Sequence, residues 1–215
     1  MKKYICLISI LAPINVWADN MRGFYVGAGV SDIDAFEYPT KESTVNIKSV
    51  ELFGGYRYND LAGIEIRYGG GFKGNEARTR LPGSDTIRLN TEYEIDSFQS
   101  IYYKPELLNY EAKLYALLGW TTLERAVTFN DFQGDVSQIN QYIDGSPTFD
   151  DYPTFEDEND IGDPTLTSKL SGYSYGLGMG FIVNPKLNIN VEYRIILDKG
   201  EEMVRAAGIY FDYRI

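Results

Sequence analysis

Residues Val204 to Ile215, VRAAGIYFDYRI, alternate in character along their length. Ile209, Phe211, Tyr213 and Ile215 fall on one side, and Gly208, Tyr210, Asp212 and Arg214 on the other. Successive side chains of a strand point to opposite faces, so a period of two with one apolar stripe marks a strand with one apolar face. The stripe is aromatic and aliphatic throughout, so it must lie against something large and apolar.

The same period recurs upstream. Arg22 to Ser31 sets Phe24, Val26, Ala28 and Val30 against Gly23, Tyr25, Gly27 and Gly29. From Asn46 to Tyr58, Val50, Leu52, Gly54 and Tyr56 oppose Glu51 and Arg57. From Ala62 to Gly69, Ile64, Ile66 and Tyr68 oppose Gly63, Glu65 and Arg67. A tight Asn59-Asp60 turn joins the last two as a hairpin. Tyr110 to Glu124 places Ala112, Leu114, Ala116, Leu118 and Trp120 on one face. Tyr173, Tyr175, Leu177, Met179 and Phe181 form another stripe, followed after Asn184-Pro185-Lys186 by Ile189, Val191, Tyr193 and Ile195. The fourth strand, between Leu89 and Tyr103 and ahead of a Lys104-Pro105 turn, is less regular. Ser97 and Gln99 interrupt its odd-numbered apolar positions, which calls for a bulge or a change of phase.

These readings predict an all-β, eight-stranded antiparallel barrel. Its connections alternate between short (59–61, 104–109, 184–186) and long (32–45, 70–88, 125–168, 197–203). Short turns on one rim and long loops on the other fit a transmembrane β-barrel with periplasmic turns and extracellular loops. A soluble eight-stranded barrel of the lipocalin kind shows the same period with its apolar face inside. Charge favours the membrane form. The polar faces carry Glu51, Glu65, Glu111, Glu192 and Asp212 against Arg57, Arg67, Lys113, Arg194 and Arg214, five acids and five bases, with glycines between them. Such a balance suits an enclosed lumen in which charges are paired. Tyrosine and tryptophan on the apolar faces suit the belts of a membrane interface.

The first 18 residues read as a signal peptide: Lys2 and Lys3, a short apolar run, then Val16-Trp17-Ala18 before the expected cut. The barrel domain then spans 19–215. Removing the leader takes away Cys6, the one cysteine, and leaves 18 basic and 31 acidic residues, a net charge of −13. No disulfide is then available.

Histidine is absent, which removes the usual general base for a serine nucleophile and argues against an enzyme. Without His or a mature Cys, zinc and copper sites are implausible, and no cofactor is expected. The stretch DENDIGDPTLTS fails the calcium-loop pattern, with Ile161 at its fifth position and Ser168 at its twelfth. The segment 126–168 nonetheless stands apart. It holds ten acids, among them Asp150, Asp151, Glu156, Asp157, Glu158 and Asp160, and no base. Six aromatics punctuate it. A basic surface partner, or lipopolysaccharide bridged by divalent cations, fits such a loop, and so does a solvated loop with no specific partner. Nucleic acid is disfavoured by charge repulsion and is not expected as a partner.

RGFYVGAGV (22–30), LFGGYRYND (52–60) with GIEIRYG, KLYALLGW (113–120), NINVEYRI (188–195) and the terminal YRI together resemble small eight-stranded outer-membrane barrels. These are the proteins of the OmpX, OmpA-membrane-domain and opacity-adhesin type. The resemblance covers essentially all of the mature chain outside the loops. It implies residence in the outer membrane of a Gram-negative bacterium, contact with outer-membrane lipid and lipopolysaccharide, and insertion by the barrel-assembly machinery. That machinery would read Phe211, Tyr213 and Ile215, although Ile215 stands where the family usually has an aromatic. The expected role is structural, adhesive or otherwise surface-interacting, with a narrow pore for water, ions or very small solutes as the alternative.

Overall fold

A computed structural model of the chain describes residues 22–36, 44–59, 61–73, 75–80, 88–108, 111–129, 165–199 and 202–215. Nine strand segments lie within them: β1 (Gly23–Phe36), β2 (Thr44–Arg57), β3 (Ala62–Lys73), β4 (Asn75–Arg80), β5 (Arg88–Leu108), β6 (Ala112–Phe129), β7 (Thr165–Ile182), β8 (Leu187–Lys199) and β9 (Glu202–Arg214). Segments β3 and β4 pair with successive parts of β5, so they form one stave and the wall has eight. Neighbours run antiparallel in the order β3-β2-β1-β9-β8-β7-β6-β5, and the β3–β5 pairing closes the sheet on itself. Closure through β3 and β5 pairs the staves on both sides over the half nearest the short turns, the condition for a sheet to stand in lipid.

The terminal stripe completes the ring. Phe211 lies opposite Ala28 of β1 and Ile189 of β8, and Ile209 lies opposite Val30 and Val191. In the half nearest the short turns, the apolar stripes point outward on every stave. Ile66 is 61% exposed and Leu177 66%, with Leu52, Leu118, Val191 and Phe211 in the same band. Aromatics border it, and Trp120 meets Tyr173 edge-on at 5.1 Å between ring centres. The charged and small residues point in. Glycine is required where an inward ring crosses the wall: a Cβ on Gly178 would lie 2.3 Å from Cζ of Tyr115.

Away from the short turns the polarity reverses. Here Asp32, Lys48, Glu94, Asp96 and Lys169 face outward, while Ile33, Val45, Ile47, Tyr93, Ile95, Leu123, Val127, Leu170, Leu197 and Val204 are buried inside. The staves therefore continue past the apolar band as a collar with the polarity of a soluble barrel. The lipocalin-like alternative needs this polarity over the full height, and the outward apolar band contradicts it.

The collar corrects the expected loop boundaries. Strand β1 runs to Phe36, β3 to Lys73 with β4 following from Asn75, and β6 to Phe129, so part of what reads as loop is wall. In β5 the register shifts between Ile95 and Ser97. Tyr93 and Ile95 point in before the bulge, whereas Ile101 and Tyr103 point out after it. The expected Lys104-Pro105 turn is also corrected. Strand β5 continues to Leu108, with Pro105 opposite Ala62, and Lys104 is buried.

Candidate functional site

The inward face of the lower half assembles ten charged side chains. Glu51, Glu65, Glu106, Glu192 and Asp212 meet Arg57, Arg67, Lys104, Lys113 and Arg194, five acids and five bases, all buried. A buried charge is tolerated when it is paired and hydrogen-bonded, and each of these has an ionic partner.

Arg67, 1% exposed, is the hub. Its Nη1 and Nη2 donate to the two carboxylate oxygens of Glu192 at 2.7 and 2.8 Å, a bidentate pair across the lumen. Its Nε donates to Glu65 at 2.5 Å, and Glu51 lies 3.6 Å from Nη1. The guanidinium also sits 4.7 Å from the Phe53 ring centre and 5.0 Å from that of Tyr210. Lys104 donates to Glu65 at 2.8 Å and lies 4.3 Å from the Tyr115 ring centre. Tyr25 and Tyr115 donate to Glu65 and Glu192. Toward the collar, Arg194 pairs with Glu51, which also accepts from Tyr210 at 2.7 Å and Ser31 at 2.9 Å. Toward the short turns, Arg57 pairs with Glu106, and Asp212 accepts from Lys113, Asn188 and Asn190.

Of the ten charges singled out in the sequence, eight lie in this assembly. Glu111 does not: it is exposed, because β6 begins at Ala112 and Glu111 belongs to the turn below it. Arg214 is half-buried at the mouth beside Arg57, Lys113 and Asp212. Lys104 and Glu106 take their places, and the alternation of β5 through Phe98, Ser100 and Tyr102 was the signal for them. Reading Lys104-Pro105 as a turn concealed it. Phe211, Tyr213 and Ile215 face outward and exposed at the end of the chain. Asp150, Asp151, Glu156, Asp157, Glu158 and Asp160 lie outside the described residues.

Above the ion pairs come hydroxyls: Ser31 with Ser49 at 2.7 Å, Ser100 with Thr121 at 2.7 Å, and Tyr102 with Ser174 at 2.6 Å. Above these sits a cluster of 13 buried residues, Ile33 to Ala206, that fills the collar. The interior of an eight-stranded barrel is about wide enough for side chains alone. The lumen is thus filled from below by neutralised charge and from above mainly by hydrocarbon, with Arg125, whose Nε donates to Ser168 at 3.1 Å, part-buried on the same face.

Residues 4–214 match the family described as outer membrane protein beta-barrel domain. No curated protein matches the chain. Among solved structures, Ail, the attachment invasion locus protein of Yersinia pestis, is similar at 14% identity and a TM-score of 0.54, over 90% of this chain and 99% of that one. It was solved in complex with the heparin analogue sucrose octasulfate. Neisserial surface protein A is similar at 14% identity and a TM-score of 0.52, over 90% of this chain and 97% of its own. These likenesses concern the fold. With the family match over nearly the whole length and an apolar band turned outward, the chain belongs to the outer membrane protein beta-barrel domain family and resides in the outer membrane of a Gram-negative bacterium.

Proposed function

We infer that the protein is a closed scaffold that holds surface loops above the outer membrane, and that the acidic loop, narrowed by the ends of β6 and β7 to residues 130–164, engages a positively charged partner in an adhesive or envelope-stabilising role. The filled lumen carries this reading: among the described residues, the buried apolar cluster of the collar interrupts any polar path along its axis. The narrow-pore alternative requires such a path. The buried carboxylates are held by cations and tyrosine hydroxyls, an arrangement suited to filling space and not to proton transfer. Activity on the far side of the wall is left, in the loops and in the lipid-facing band. Outer-membrane lipid surrounds that band, lipopolysaccharide meets the collar, and the outward Phe211, Tyr213 and Ile215 serve recognition by the assembly machinery.

Charge sets the class of partner. Ail was solved with a polyanion. A loop with ten acids and no base repels polyanions and attracts cations over roughly a Debye length of 8 Å at physiological salt. Vesicles carrying the refolded protein should bind polylysine in a salt-sensitive manner and leave heparin in solution. Changing Asp150, Asp151, Glu156, Asp157, Glu158 and Asp160 to their amides should abolish most of that binding. Equal polylysine binding by both barrels would sink the loop assignment.

A further inference from the structure

The two layers of the lumen differ in how completely they satisfy their polar atoms. In the charged layer, Oε2 of Glu51, Nη1 of Arg194 and Oδ1 of Asn190 are buried without a hydrogen-bond partner. Buried polar atoms of this kind are ordinarily satisfied by ordered water. A cleft opens below them at the rim of the short turns, lined by Gly23, Tyr25, Arg57, Lys113, Asp212 and Arg214. Asp212 connects the cleft to the layer, since it accepts from Asn190 at 2.6 Å. The cluster in the collar is different. Of its 13 residues, Tyr93 alone has a polar side-chain atom, and Leu197, Ile33, Val127 and Ile196 are each 0% exposed. Apolar cavities stay dry, and apolar constrictions exclude ions by dewetting.

Resting on the closed-scaffold reading, we propose that the permeability barrier of this barrel is the apolar layer of the collar, and that the ion-pair layer below is a wetted, blind vestibule open to the periplasm. Water enters between Tyr25 and Arg214, solvates Asn190, Glu51 and Arg194, and reaches as far as the Ser31–Ser49 pair. The ion pairs then neutralise and brace the wall without sealing it.

The test compares three refolded barrels in planar bilayers, each first shown to be folded by heat-modifiable gel migration. They are the wild type, Leu123→Ser/Leu197→Ser in the apolar layer, and Glu51→Gln/Arg194→Gln in the charged layer. The expected result is a silent wild type, a silent Gln pair, and a Ser pair conducting roughly tenfold or more above baseline. A conducting Gln pair, or a folded but silent Ser pair, overturns the proposal. A conducting wild type overturns the closed-scaffold reading instead, which keeps the two failures apart. Should the Ser pair not fold, Ser49→Cys decides the matter in a chain whose single native cysteine, Cys6, is changed to Ser. Silver ion should consume that thiol roughly tenfold faster from the periplasmic side than from the extracellular side. Equal rates, or the reverse order, refute the seal.

Discussion

The lower and upper halves of this barrel solve the same packing problem with opposite chemistry. Below, lipid surrounds the wall, so hydrocarbon faces out and the interior is left to charge, tyrosine and glycine. Above, the outer face is polar, so Asp32, Lys48 and Glu94 face out and Ile33, Ile47 and Leu197 fill the interior. One backbone alternation runs through both. The medium outside decides which set of side chains is turned inward, and each half is stable by a different mechanism. The lower half depends on every charge having its partner, whereas the upper half depends on shape and the exclusion of water.

The largest test of that contrast is Arg67→Ala. It takes from Glu192 its bidentate partner and from Glu65 and Glu51 a shared cation, leaving those two with Lys104 and Arg194, and breaking a buried pair in this way costs about 3–5 kcal/mol. Urea unfolding of the barrel in lipid vesicles measures it, and Glu192→Gln in the same chain should recover part of the loss. No recovery would mean that charge balance is not what holds the lower half. Leu197→Ala in the collar should cost about 3 kcal/mol through lost burial and a residual cavity, with no rescue from any charge change. Gly119→Ala tests the wall between them. Its methyl would lie 1.9 Å from the Ile101 carbonyl oxygen, so overpacking should cost about 2 kcal/mol in the same assay. Smallest is Lys169→Ala, which removes a 2.7 Å contact to Glu124 on the outer face of the collar. Exposed pairs contribute little and are screened by salt, so its unfolding curve should overlay the wild type at physiological ionic strength. A clear shift there would show that the collar's outer face is not simply solvated.

The lower half was the legible one. Alternation in VRAAGIYFDYRI and in its seven counterparts carries the strand count, the outward stripes and eight of the ten buried charges. Lipid demands an uninterrupted apolar face, and that leaves a strong period-two signal. The collar was hidden for a related reason. At Ser31-Asp32-Ile33-Asp34 the alternation persists, but its apolar phase moves to the inner face, so a reader following the outer stripe sees it end and calls a loop. In β5 the bulge after Ile95 reverses the phase once more, and Pro105 imitates a turn. Lys104 and Glu106 were missed on that account, and Glu111 was included because parity alone cannot show that its strand begins one residue later.

Periodicity in the sequence by itself determined that this is an eight-stranded barrel whose staves each have one apolar face, since alternation is a property of single strands, and charge balance favoured placing that face outside. Which acid meets which base, and where hydrocarbon takes over the lumen, were decided only by closure. Arg67 and Glu192 are 125 residues apart in the chain and meet because the ring brings β3 and β8 face to face across an interior with room for little else.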